Sequence, residues 1–172
     1  ICETNITKKR SAAVGKSVPG QKNSKRRMDM DSQTRSLLRE CSVGCKMAVN
    51  SFNQMRDFVT DENLKSVLDT YDKKHKKYEE TAAKLLEEGG SEEKEPGVMA
   101  SIFSRLSTEV KLLRKDDSNQ IAKLVMDGCS MGIQTLGGYV NQYKNASSQS
   151  SSLAKDIIRT EESLMKDMQK FL

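Results

Sequence analysis

Residues 62–90 have the sequence ENLKSVLDTYDKKHKKYEETAAKLLEEGG, which holds the clearest helical periodicity of the chain. A seam of mostly apolar side chains recurs there at steps of three and four, through Leu64, Leu68, Tyr71, His75, Tyr78, Ala82 and Leu85. This spacing predicts one buried face of an amphipathic helix. Thr60 is expected to cap the start of that helix, and Gly89 with Gly90 to end it.

Comparable seams lie on both sides of this segment. Helical spacing predicts a helix from residue 31 to 59, another over 97–115, a glycine-containing helix after Asp117, and a last helix after a serine-rich turn at 146–152. The last seam runs through Leu153, Ile157, Glu161, Leu164, Met168 and Phe171, and we interpret Glu161 as a carboxylate at the edge of the seam that reaches water. The whole pattern predicts an all-α protein.

Length and composition agree with a single helical domain. The chain has 172 residues, 31% of them charged and 5% aromatic, with two prolines and no tryptophan. Such a chain can bury one continuous core but not two, and the scarcity of aromatic residues disfavours a sheet protein. We assign the bundle domain to residues 31–172.

The basic charge is concentrated at the N-terminus. Residues 1–30 hold 8 of the 29 basic and 2 of the 24 acidic residues, so residues 31–172 are nearly neutral. We interpret residues 1–30 as a disordered basic tail or, because the chain begins with Ile1, as a mis-assigned start. No aromatic residue interleaves these charges, so nucleic-acid binding is disfavoured.

Cysteine usage and hydropathy bear on the setting of the protein. No apolar run approaches the roughly 20 residues that span a bilayer, and no secretory signal begins the chain, so membrane insertion is not expected. The four cysteines show no dense disulfide pattern, so reduced thiols and a cytoplasmic location are predicted.

An internal repeat relates the two halves of the chain. Cys41-Ser42-Val43-Gly44 on the first helix reappears as Cys129-Ser130-Met131-Gly132 on the helix after Asp117. Together with the helix order, the two-glycine break and the long connection between two hairpins, this makes residues 33–172 resemble the small uncharacterised bacterial ferritin-like proteins known as domains of unknown function. The resemblance implies a ferritin-like four-helix bundle with a helical crossover between two hairpins.

A ferritin-like di-iron site needs carboxylates and two acid-x-x-His pairs. Asp72 and His75 form one such pair, but Glu162, at the corresponding position, is followed by Met165, and His75 is the only histidine. A hairpin turning near Thr60 would place Cys45 level with His75. The candidate metal ligands are therefore Asp72, His75, Glu162 and Cys45.

Two functions remain open on this pattern. The favoured one is a non-catalytic structural or interaction module without a cofactor, which associates with itself or with another protein. The alternative is a metal-binding or redox protein that holds iron or zinc at the degenerate site, since zinc accepts sulfur, nitrogen and oxygen ligands together. Phosphate-binding loops and nucleophile elbows are absent from the sequence, which disfavours an enzyme.

Overall fold

The computed structural model of the protein describes residues 30–91, Val110, Leu113 and residues 117–172. This part of the chain is all-α and contains no strand, which confirms the all-α part of the predicted fold. Four long helices are α1 (Ser32–Met55), α2 (Glu62–Glu88), α3 (Ser118–Gln142) and α4 (Ser148–Met168), with short 3-10 turns at Arg56–Phe58 and Gln169–Phe171. The tail predicted over 1–30, apart from Met30, and most of the helix predicted over 97–115 lie outside the described residues.

Side-chain caps fix where the helices begin. Asp61, and not Thr60 as predicted, caps α2, because its Oδ1 accepts hydrogen bonds from the backbone N–H groups of Asn63 at 2.7 Å and Leu64 at 3.0 Å. The same role falls to Asp31, Asp117 and Ser147 for the other three helices. The predicted glycine stop is confirmed, since Gly89 caps α2 and Gly90 adopts a φ of 70°.

The four helices pack as a bundle of two antiparallel pairs, α1 with α2 and α3 with α4, and α4 also contacts α1 and α2. Two apolar clusters fill the bundle, one towards each end. The first, which we call the Phe52 end, contains Phe52, Met55, Leu64, Leu68, Tyr71, Ile121, Val125, Leu164 and Met168. The second, which we call the Leu37 end, contains Leu37, Cys41, Cys45, Ala82, Leu86, Leu136, Leu153 and Ile157.

These clusters also give the direction of each helix. α2 runs from Leu64 at the Phe52 end to Leu86 at the Leu37 end, and α3 runs the same way, from Ile121 to Leu136. The second and third helices therefore point in the same direction, although both hairpins are antiparallel. Val110 and Leu113 lie in the Phe52 end, beside the start of α3. No helix in the described ranges is long and apolar enough to cross a bilayer.

Candidate functional site

His75 lies at the centre of the bundle with no exposed surface. Its Nδ1 is 2.8 Å from the backbone carbonyl oxygen of Tyr71, one turn earlier on α2. Because a carbonyl oxygen can only accept, Nδ1 must carry a hydrogen and donate it. The ring of Phe52 on α1 meets the imidazole edge to face, with 5.6 Å between the ring centroids. His75 is thus held by its own helix and by α1.

Glu161 on α4 completes the contacts of the imidazole. Its Oε1 is 2.8 Å from His75 Nε2, and the residue is only 8% exposed. The prediction that Glu161 reaches water is therefore wrong: the core position it occupies in the helical repeat points it at His75. Burial alone would lower the pKa of His75, but the hydrogen bond and charge of Glu161, with the Tyr71 carbonyl and Asp72, outweigh burial and raise it.

The repeated Cys-Ser-x-Gly element of α3 lines the same carboxylate. The Cys129 thiol lies beside Glu161, and burial, followed by the charge and hydrogen bonding of this carboxylate, raises the pKa of Cys129 far above its ordinary value. A Cβ on Gly132 would lie 3.7 Å from Glu161 Oε1, in ordinary van der Waals contact. The matching Gly44 on α1 has no described neighbour within 4 Å of such a Cβ. The two copies of the element therefore have different surroundings.

Two further hydrogen bonds join α2 to α4 on either side of His75. The Tyr71 hydroxyl donates to Asp167 Oδ2 at 2.9 Å, which helps to raise the pKa of Tyr71, after burial, to about 12. The Tyr78 hydroxyl is 2.9 Å from Thr160 Oγ1, and because Thr160 donates its own hydrogen to the Asp156 carbonyl, Tyr78 must be the donor. Three polar contacts in a row therefore connect α2 and α4, along a seam whose spacing predicted an apolar contact.

Asp72 lies one turn before His75 and is also buried, at 4% exposure. Its Oδ2 accepts a hydrogen bond from Lys76 Nζ at 2.7 Å and lies 3.6 Å from Arg56 Nη2. Its Oδ1 is buried without a hydrogen-bond partner among the described atoms. Asp72 is thus neutralised by two cations on the outer side of the α1–α2 hairpin.

Cys45 is buried, but it does not lie level with His75 as predicted. Lys46 pairs with Glu79 across the hairpin, and Arg56 pairs with Asp69, so both pairs are centred between residues 62 and 63, beyond Thr60. The cause is the 3-10 turn at Arg56–Phe58, which continues the chain past the end of α1 before it reverses. Burial, and then the charges of Cys41, Glu161 and Glu79, raise the pKa of the Cys45 thiol well above its usual range.

Glu162 is exposed, one residue away from the buried Glu161. Consecutive residues on a helix differ by about 100° in direction, so the two carboxylates face opposite environments. The structure therefore brings Asp72, His75 and Cys45 into the interior but leaves the fourth candidate ligand, Glu162, outside. Within the described ranges, no group of three or more His, Cys, Asp or Glu side chains is arranged to hold a metal ion.

The sequence contains a signal that Glu161, rather than Glu162, faces the core. Glu161 occupies a core position of the 3.6-residue repeat, four residues after Ile157 and three before Leu164. The correspondence between the two halves of the chain points instead to Glu162. The helical repeat was the better guide, because it follows directly from the geometry of the helix on which the residue lies.

Chemically, the cluster is closed on itself. Both imidazole nitrogens are engaged by groups of the chain, and Glu161 lies between His75 and the Cys129 thiol. This arrangement can hold a proton between two buried groups.

Comparison of the chain with protein-family models, with curated proteins and with solved structures finds no significant match.

Proposed function

We propose that the protein is a non-catalytic helical interaction module that associates with a second copy of itself through the outer face of α3. The observation that carries this proposal is the absence of charged residues from residue 128 to the end of α3. Residues 128–143 contain no Asp, Glu, Lys or Arg, the longest such stretch in a chain of which 31% is charged. Met131 lies within this stretch and is 51% exposed.

Glycines on the same helix support a close contact with another molecule. A Cβ added to Gly128, Gly137 or Gly138 would meet no described atom within 4 Å. Each glycine costs a helix about 1 kcal/mol relative to alanine, and no contact within the described bundle explains that cost. A neighbouring helix that approaches the bare backbone would explain it, because small residues allow two helix axes to come close together.

Symmetry favours a second copy over an unrelated partner. In a two-fold symmetric dimer each residue near the axis faces its own copy, so any charge there meets a like charge. A face without charges avoids this repulsion, whereas binding to a different protein would tolerate charges that the partner could complement. The outer surfaces of α2 and α4 carry charged side chains of both signs and lack this property.

The course of the helices supports a ferritin-like arrangement for the bundle. α2 ends at the Leu37 end and α3 begins at the Phe52 end, so the second hairpin starts at the end of the bundle opposite to the one where the first hairpin stops. Two hairpins joined in this way are the topology of ferritin-like proteins. The three buried free cysteines of the described part agree with a reducing, cytoplasmic setting.

The test is the oligomeric state of the full chain. Sedimentation equilibrium up to about 1 mM, where even an association of about −4 kcal/mol becomes visible, should show a monomer–dimer equilibrium. Met131→Glu should abolish it, and Thr81→Glu, at an exposed position of α2, should not. A mixture of Met131→Glu and Met131→Lys should restore association, because opposite charges then face each other across the axis. A wild-type monomer at 1 mM, or a dimer that tolerates Met131→Glu, would refute the proposal.

A further inference from the structure

We infer that His75 and Glu161 hold a single proton between them, and that this proton makes the contact between α2 and α4 sensitive to alkaline pH. The inference is independent of self-association. It rests on which atoms can donate. His75 Nδ1 donates its hydrogen to the Tyr71 carbonyl, so this hydrogen cannot take part in the contact with Glu161. Across the other 2.8 Å contact, Nε2 and Glu161 Oε1 form a hydrogen bond only if one of them carries a proton.

Two forms satisfy this requirement. In one, an imidazolium faces a carboxylate, and in the other a neutral imidazole accepts from a protonated carboxyl group; both contain the same number of protons. The neutral Cys129 thiol beside Glu161 can donate to a carboxylate, which favours the carboxylate form. If the proton is removed, a nitrogen lone pair and a carboxylate oxygen face each other in the core. The pair then has to separate or admit water.

The side chains around His75 and Glu161 keep a constant charge in the pH range where a histidine titrates, so only the shared proton changes the charge of this site. On α1, Phe52 covers the imidazole and Cys45 lies near Glu161, and on α3, Cys129 faces the carboxylate. Burial raises the pKa of both thiols, so they stay neutral where a histidine titrates. On α2 itself, Asp72 favours the protonated imidazole, although Lys76 and Arg56 offset its charge.

The direction of the pH effect follows from the raised pKa of His75. Below the pKa of an unfolded histidine, about 6.5, folded and unfolded chains both hold the proton and the contact contributes its full stability. Above that pH the unfolded chain loses the proton first, so folding becomes less favourable. The stability is lost progressively until the pH passes the pKa of folded His75, with the unfolding equilibrium constant rising by up to about tenfold per pH unit.

The decisive measurement uses the fact that the chain contains one histidine. Nitrogen-15 NMR of the full chain, labelled at histidine, should show Nδ1 protonated throughout and a titration midpoint above about 6.5. A midpoint at or below that value, or a neutral ring with its hydrogen on Nε2, would overturn the inference. This measurement needs no variant and therefore no assumption about folding.

Two variants distinguish the contribution of the shared proton to stability from that of the neighbouring hydrogen bond between α2 and α4. In Glu161→Gln the amide can donate to a neutral Nε2, so stability measured by urea unfolding should no longer fall between pH 6.5 and the wild-type midpoint. Thr160→Val removes the neighbouring hydrogen bond from Tyr78 without removing a titratable group. It should lower stability equally at every pH and keep the wild-type slope. An unchanged slope in Glu161→Gln would refute the role of the shared proton.

Discussion

Replacing Gly138 by alanine should have opposite effects on folding and on self-association. Gly138 lies inside α3 on its outer face, and a Cβ there would meet no described atom within 4 Å. The added methyl group therefore causes no clash within the bundle, and it removes conformational freedom from the unfolded chain. We expect Gly138→Ala to stabilise the monomer by about 1 kcal/mol.

Self-association should weaken in the same variant. If a second helix approaches the bare backbone of α3, a methyl group at residue 138 forces the two helices apart. Overpacking of this kind costs about 1 to 3 kcal/mol, and a cost of 1.4 kcal/mol weakens association about tenfold. Gly44→Ala is the matched control, because Gly44 has the same open surroundings but lies on α1. It should give the same gain in stability and leave the dimer unchanged.

Both quantities can be measured on the full chain. Thermal unfolding at low protein concentration, where the monomer dominates, should show a midpoint higher by about 3 °C in both variants. Sedimentation equilibrium at high concentration should show weaker association for Gly138→Ala alone. Loss of stability in Gly138→Ala would mean that its surroundings in the bundle are crowded. Equal association of the two variants would mean that the second copy does not contact this part of α3.

Three further outcomes follow from the interior of the bundle. Tyr78→Ala should destabilise the fold by about 3 kcal/mol, because a large side chain and its hydrogen bond to Thr160 are lost. Replacement of the exposed Lys77 by alanine should change stability by less than about 0.5 kcal/mol. Equal effects of the two substitutions in urea unfolding would contradict the assigned face of α2. Calorimetric titration with zinc, iron(II) and manganese should show no stoichiometric submicromolar site, since Glu162 points away from His75; tight binding that disappears in His75→Ala would instead support the metal-binding alternative. The buried thiols of Cys41, Cys45 and Cys129 should react with iodoacetamide only as fast as the protein opens, because burial and raised pKa values keep them covered and neutral. Rapid labelling of these three positions in peptide mass spectra would contradict the packing described above.

The N-cap of α2 and the register of the α1–α2 hairpin differ from the sequence-based prediction for local reasons. Thr60 and Asp61 are both good capping residues, and the structure selects Asp61, whose side chain reaches two backbone N–H groups. Because a 3-10 turn follows α1, the centre of the hairpin lies beyond Thr60, and Phe52 rather than Cys45 contacts His75. Such a change of about two residues lies beyond what helical periodicity can resolve, because the repeat describes each helix separately.

The amino-acid sequence by itself determined the all-α class, the approximate positions of the hairpin helices and the inward faces of those helices. These features depend on neighbours three or four residues away and on caps next to each helix end. Tertiary structure alone decided that the core residue Glu161 meets His75, 86 residues earlier in the chain. It also decided that Met131 stays exposed while Cys129 is buried. Contacts between distant helices depend on how whole surfaces interlock, and a local repeat in the sequence does not contain that information.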